Sequence, residues 1–284
     1  MYELFLDETM TYSCAIFERE NEALADAQLR KIDRILEKAC ISEHHNVLEI
    51  GTGWGSLAIR AATLYGCRVT SITLSKEQQQ LAQQRVAEAG LSDRIEVLLC
   101  DYRNVTGQYD RIVSVEMLEA VGKAYYPVFS RSCDRLLKPN GMLVIQTITS
   151  PDQRYEAYSK TTDWMRLFIF PGGMLPSLTA LTKVLTDHTS FVVKQVESIG
   201  PHYALTLARW KDRFLTNRGK IIDLGFPESF IRRWEYYFSY CQAGFTQHYV
   251  DDLQIVLTRP RNRDCIDAFD QKIGRVKSQA DNTK

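Results

Sequence analysis

The stretch Glu49-Ile-Gly-Thr-Gly-Trp-Gly55 stands between a short apolar run, Asn46-Val-Leu-Glu-Ile50, and a helical segment over 57–65 that stops at Gly66. A glycine in that last position suits the left-handed end of a helix. Strand, glycine turn and helix in this order form the setting of a nucleotide loop. Glycines let the backbone approach a ligand, and the start of the helix presents free N–H groups. The spacing excludes a dinucleotide fingerprint, whose third glycine would fall at Ser56. A plain tight turn is the bland alternative. The same pattern continues downstream. Residues 68–74, 94–100, 109–115 and 141–149 read as strands, 76–89 and 124–137 as helices, and Lys138-Pro-Asn-Gly141 as a stop. Upstream, 21–40 carries Leu24, Leu29, Ile32, Leu36 and Ala39 at roughly helical spacing. Strands that are nearly continuous apolar runs, alternating with helices, imply βαβ units and a parallel sheet covered on both faces.

Beyond Ser150 the rhythm changes. Residues 151–190 read as helical segments around Phe168-Ile-Phe-Pro-Gly-Gly-Met-Leu-Pro176, then come a strand over 191–199, helices over 203–223 and 228–245, and a last strand over 251–259. This predicts one α/β domain, 1–265, with seven strands, a helical cap at about 151–190 inserted between the fifth and sixth, and a polar, frayed tail over 266–284. The 284 residues and 45% apolar content are ample for one core. Equal numbers of basic and acidic residues, 35 each, remove the bulk attraction of a general nucleic-acid binder. No apolar run approaches the ~20 residues of a membrane span. Cysteines at 14, 40, 67, 100, 133, 241 and 265 are odd in number and form no CxxC pair. They read as reduced thiols of a cytoplasmic protein, neither a disulfide framework nor a zinc site, and no metal is expected. The N-terminus lacks the form of a signal peptide.

Glu49 followed by Gly51, Gly53 and Gly55 resembles the first motif of S-adenosylmethionine-dependent methyltransferases. The resemblance implies that the loop, with Trp54, packs against the methionine part of that cofactor while Glu49 helps hold its amino group. At the second strand tip, Thr73-Leu74-Ser75-Lys-Glu-Gln78 offers no ribose-binding acid. It reads as a polar tip near the ribose and as a capping box in which Ser75 caps the helix and Gln78 closes back on it. Asp101 and Tyr102 supply an acid and a flat ring where adenine lies in such proteins.

These segments, with Thr11-Tyr-Ser-Cys-Ala-Ile-Phe17, Tyr109-Asp-Arg-Ile-Val-Ser-Val-Glu-Met-Leu-Glu119, His202-Tyr-Ala-Leu-Thr-Leu207 and Trp234-Glu-Tyr-Tyr running into Cys241, carry a resemblance to a named family. The chain resembles the cyclopropane-fatty-acyl-phospholipid synthases and mycolic acid cyclopropane synthases over nearly its whole length. Its 148–177 region is most similar to the plant-like branch. The implied fold is a class I S-adenosylmethionine methyltransferase, a Rossmann-like seven-stranded, mostly parallel sheet with an inserted helical cap.

The implied reaction attaches the sulfonium methyl to a cis double bond of a phospholipid acyl chain, after which the carbocation loses a proton and closes a ring. Methyl transfer without ring closure, N-methylation of a small amine and a non-catalytic binding relative are the competing expectations. By the same resemblance Tyr12 and Ser13 join the cofactor site. A bicarbonate ion, serving as base, would be lined by Cys14, Glu119, Gln146, the backbone of Ile148, and Tyr203. Tyr203, Gln146 and the backbone donate and Glu119 accepts. Two departures stand out: the family's Glu-His pair is Glu119-Ala120, and the histidine of the fifth strand is Gln146, which cannot titrate.

Cys241 aligns with a cysteine once favoured as nucleophile, yet with no nearby base in sequence it reads as core packing. Glu116 reads equally as a surface acid or a ligand neighbour. Phe168, Phe170 and Leu175 are candidates for contact with membrane lipid. The implied partners are an unsaturated phospholipid and the inner face of its membrane, with a homodimer left open. The relatives carry a segment before the equivalent of Tyr2-Glu-Leu-Phe-Leu6 that folds over the cofactor, so this start reads as a catalytic core lacking its front edge.

Overall fold

The structure is a computed structural model that describes residues 1–262; the expected tail, 266–284, and Cys265 lie outside the described residues. In chain order the elements are α1 (Leu24–Lys38), β1 (Asn46–Ile50), α2 (Ser56–Tyr65), β2 (Arg68–Thr73), α3 (Lys76–Glu88), β3 (Ile95–Leu99), β4 (Tyr109–Val115), α4 (Tyr126–Leu136) and β5 (Leu137–Thr149). They are followed by α5 (Asp152–Lys160), α6 (Trp164–Phe168), α7 (Leu178–His188), β6 (Val192–Ser198), α8 (Gly200–Thr216), α9 (Arg218–Asp223), α10 (Glu228–Thr246) and β7 (Asp251–Thr258).

The seven strands form one sheet in the order β3-β2-β1-β4-β5-β7-β6. All neighbours from β3 to β5 are parallel, and β7 runs antiparallel between β5 and β6. The strand order reverses direction between β1 and β4, so the ends of those two strands open a crevice where ligands of α/β sheets bind.

Alternation along each strand explains the two layers. Val47, Val69, Val97, Val113 and Val144 turn to one face and meet Ile32, Ile35 and Leu36 of α1 and Leu57, Ala58 and Ala61 of α2. Leu48, Ile72, Ile112, Leu143 and Ile145 turn to the other, against Phe129 and Cys133 of α4 and Leu181 and Leu185 of α7. A third apolar body lies beyond the sheet ends. There the N-terminal segment lays Phe5 among Trp210 and Phe214 of α8 and Trp234 and Phe238 of α10.

Three expectations change. The fifth strand starts at Leu137, not Gly141, because Leu137 already pairs with Tyr109. The helix expected over 203–223 is broken at Asn217, whose side-chain amide donates to Leu4 O and Arg213 O, tying the break to the N-terminal segment. The helical cap is also distributed differently. Between β5 and β6, α7 belongs to the sheet layer on α4, while the larger helical body, α8 to α10, is inserted between β6 and β7.

Candidate active site

A cavity of about 1050 Å³ opens at the crevice and is lined by the glycine loop, the tips of β2, β3 and β4, and the N-terminal segment. The loop has its shape because Gly51, Gly53 and Gly55 all adopt positive φ, +103°, +51° and +91°. The N–H groups of Gly51 and Thr52 both donate to Ile72 O, which holds the loop to β2. At Gly55 a Cβ would stand 3.2 Å from Ala82 Cβ, so this glycine also lets α3 approach. Glu49, at the end of β1, is buried and accepts a 2.5 Å hydrogen bond from the Ser71 hydroxyl. Burial pushes its carboxyl up to about 8, opposed by that hydrogen bond and by the charge of Lys31.

At the β2 tip Ser75 caps α3 by accepting from the Gln78 N–H at 3.2 Å, as read from the sequence. The capping box is only half formed. Gln78 does not close back on the Ser75 N–H; its side-chain oxygen accepts from the Thr73 hydroxyl at 2.7 Å, and that hydroxyl takes the Ser75 N–H at 3.1 Å. Leu74 stands at the rim, 74% exposed. Asp101 is held by Arg103 through two side-chain bonds of 2.9 and 2.6 Å, and this partner keeps its carboxyl below the usual range. Tyr102 packs edge-on against Phe129 and lines the cavity.

On the cavity's other side, Tyr12 bonds Tyr237 hydroxyl to hydroxyl at 2.9 Å and rests on Trp210. Ser13 accepts from the buried ammonium of Lys31 at 2.5 Å. Cys14, Gln146 and Tyr203 converge here, and the group they converge on is Glu116. The Cys14 N–H and the Gln146 amide each donate to Glu116 Oε1 at 2.8 Å, and the Tyr203 hydroxyl donates to Oε2 at 2.5 Å. The second Gln146 amide hydrogen goes to Asp252 at 2.9 Å, and its oxygen accepts from Gln254 at 3.0 Å. Glu119 lies alongside, accepting from Ile148 N–H at 2.5 Å and the Thr147 hydroxyl at 3.1 Å. Burial and the neighbouring charge of Glu116 raise the carboxyls of both Glu119 and Asp252.

Cys241 stands apart from these acids. Its sulfur is 3.9 Å from Met165 Sδ and burial pushes the thiol up to about 12, which suits the packing role read from the sequence.

Lys31, Arg85 and Asp252 carry no local sequence signal of a role at the site, and Glu116 carries one that reads two ways. Arg85 clamps the loop to the N-terminal segment by donating to Trp54 O at 2.7 Å and Thr9 O at 3.2 Å. The Gly-rich switch-point loop and the acid at the end of β1 fit S-adenosylmethionine. A bicarbonate ion does not fit. The donors expected to hold it are already used by Glu116 and Glu119, and a second anion would meet these carboxylates at close range.

The sheet and its switch-point loop give the chain the fold of S-adenosylmethionine-dependent methyltransferases. A family model described as mycolic acid cyclopropane synthetase matches residues 1–255, and the chain belongs to that family. It is 48% identical over 266 residues to tuberculostearic acid methyltransferase UfaA1 of Mycobacterium tuberculosis, covering 91% of this chain and 62% of that protein. It is 36% identical over 264 residues to the cyclopropane-fatty-acyl-phospholipid synthase of Escherichia coli, covering 91% of this chain and 65% of that one. The chain thus spans under two thirds of the length of both. Among solved structures it is similar to mycolic acid cyclopropane synthase CmaA1 complexed with SAH and CTAB, with a TM-score of 0.85 and 34% identity, covering 91% of this chain and 93% of the other.

Proposed function

We propose that the protein adds one carbon, from S-adenosylmethionine, to the cis double bond of an unsaturated phospholipid acyl chain. One observation carries the reading: the glycine-loop cavity continues without a break to Glu116, one of three clustered carboxyls, beneath a roof of aromatic rings. When bound, the cofactor supplies a sulfonium methyl. The loop and Glu49 hold its amino-acid end; Thr73, Ser75, Gln78, Asp101 and Tyr102 border the place of its nucleoside. An alkene is a weak nucleophile, so the residues around it must exclude water and fix the approach. Tyr12, lining the cavity and backed by Trp210 and Tyr237, offers an aromatic face to a positive charge on the acyl chain.

Two products are open to that cation. Loss of a proton from the added methyl closes a cyclopropane ring, the outcome expected from the sequence. A hydride shift from the methylated carbon to its cationic neighbour, followed by loss of a proton from the added methyl, leaves a methylene, the precursor of a methyl branch, and the higher identity to a tuberculostearic acid methyltransferase favours this second reading. Lipid enters beside Leu167, Phe168 and Phe170, which are exposed near the cavity's aromatic roof.

The test is expression in cells rich in cis-monounsaturated phospholipid, followed by analysis of the fatty acid methyl esters. A gain of one CH2 is expected. A product that resists mild hydrogenation carries the ring, and one that takes up hydrogen carries the methylene. No gain, together with no calorimetric binding of S-adenosylmethionine, overturns the proposal.

A further inference from the structure

Glu116 follows β4 directly and, among the described residues, is one of the few non-glycine residues with positive φ, at +47°. Such a backbone costs about 1–2 kcal/mol for a residue with a side chain, and it persists where the surroundings hold it. What holds it is visible. Its N–H donates to Gln146 O at 2.8 Å, and its carboxylate collects donors from three separate parts of the chain: Cys14 of the N-terminal segment, Gln146 of β5 and Tyr203 of α8. The twist turns a strand-end side chain inward, into the cavity wall, and not out to solvent. Cys14 contributes only its N–H, since its thiol donates to Ala15 O and Ile199 O.

We propose that the Glu116 carboxylate occupies the oxyanion seat of this site and is the built-in base of the reaction, so that the enzyme works without bicarbonate. The proposal rests on the alkene-alkylating reading above. In the step itself, a C–H bond of the methylated acyl cation breaks and its electron pair forms the new ring bond or the new double bond. The proton passes to a Glu116 oxygen, and after product release it leaves to water. The geometry suits the task. Oε1 is pinned by two donors while Oε2, pinned by Tyr203 alone, keeps a lone pair; the residue is half-buried at the cavity, and Gln146 cannot itself take the proton. Beside Glu116, Glu119 Oε2 and Asp252 Oδ1 are buried without a hydrogen-bond partner, a setting that suits neutral carboxyls. Burial first, and then the nearby Glu116 side chain, raises the proton affinity of both.

The positive φ also supplies a gentle variant. Glu116→Gly removes the carboxylate, relieves the backbone and leaves Cys14 N–H, Gln146 and Tyr203 aimed at an empty seat. Glu116→Gln fills the seat with a neutral amide. Both are compared with wild type on vesicles of dioleoyl phosphatidylglycerol with S-adenosylmethionine, in buffer stripped of carbon dioxide and in buffer with added bicarbonate or formate. Binding of carbon-13 bicarbonate is followed separately by NMR, without lipid.

Wild type is expected to turn over equally in both buffers and to bind no bicarbonate. Glu116→Gly is expected to lose about 10²–10⁴-fold, the usual weight of a general base, to bind bicarbonate and to recover with it. Glu116→Gln is expected to lose as much and not recover. The inference is overturned if wild type binds or needs bicarbonate, or if Glu116→Gly keeps its rate without an added anion. It is equally overturned if Glu116→Gly binds S-adenosylmethionine normally yet takes up neither anion. Should wild type alkylate no lipid at all, the functional reading has failed, and the NMR comparison still decides where the anion seat is filled.

Discussion

Glu49 sits where a negative charge is poorly solvated, and that has a pH signature. Its folded carboxyl is raised from the ordinary 4.5 to about 8. Between those values the folded state holds a proton that the unfolded chain has released, so unfolding releases a proton and stability falls as pH rises. The unliganded wild type should therefore melt several degrees lower at the top of this window than at the bottom, and Glu49→Gln should make the slope shallower, leaving the part that the raised carboxyls of Glu119 and Asp252 contribute with the same sign. Parallel slopes in a thermal-melt series would rule out Glu49 as the cause. At Cys241 the expectation is quieter. Its thiol, pushed up to about 12 and facing Met165, has no base to ionise it, so Cys241→Ala should keep turnover while losing about 1 kcal/mol of stability. A collapse of turnover with normal melting would restore it as a nucleophile.

Residues tied to local signals were legible in the sequence: Glu49 by its place before the glycines, Ser75 by its capping position. Glu116 was not, because its environment is built from residues far away in the chain. Cys14 is 102 positions before it, and Gln146 reaches an Asp252 106 positions further on. No spacing rule encodes which way a strand-end residue with φ of +47° will point.

Among the elements, the glycine loop and α3 make a unit in which two glycines do different work. A methyl at Gly55 would meet Ala82 Cβ at 3.2 Å on a backbone of φ +91°, so Gly55→Ala must push α3 away and should cost about 1–3 kcal/mol. Gly53, at φ +51°, has nothing within 4 Å of its missing Cβ, and its conformation is one that other residues visit at about 1–2 kcal/mol. Because Gly53 lines the cavity, Gly53→Ala should spend its effect on ligand affinity. Denaturant melts and calorimetry with S-adenosylmethionine separate the two: Gly55→Ala loses mainly stability, Gly53→Ala mainly binding. Equal losses in both would mean the loop's shape is indifferent to α3. Helices and strands of the sheet layers were readable from their periods, since each buries one face or alternates. The break at Asn217 was not, because it depends on a hydrogen bond to Leu4, 213 positions away.

At the scale of the whole molecule, the helices beyond the sheet leave one aromatic face uncovered. Leu167, Phe168 and Phe170 at and after α6 are 59%, 48% and 42% exposed, and Tyr236 and Tyr240 of α10 lie beside them through Trp164. Arg233 reaches over the Phe168 ring, adding a positive charge to the same face. Leu175, the third residue expected to meet lipid, is only partly exposed. Among the described residues no helix is long and apolar enough to cross a membrane. Under the proposed function, this exposed apolar face is where an acyl chain would be drawn from the bilayer. Burying a leucine and a phenylalanine side chain in the interface contributes about 1.5–3 kcal/mol each, and each 1.4 kcal/mol is tenfold in partitioning. Leu167→Ser with Phe168→Ser should therefore lower sedimentation with anionic phospholipid vesicles at least about tenfold. The apparent KM for vesicle substrate should rise with it, while kcat on the same lipid in detergent micelles stays unchanged. Undiminished vesicle binding by this double variant would place the lipid entrance elsewhere, and a fall in micellar kcat would show that these side chains shape the cavity and do not merely dock it to the membrane.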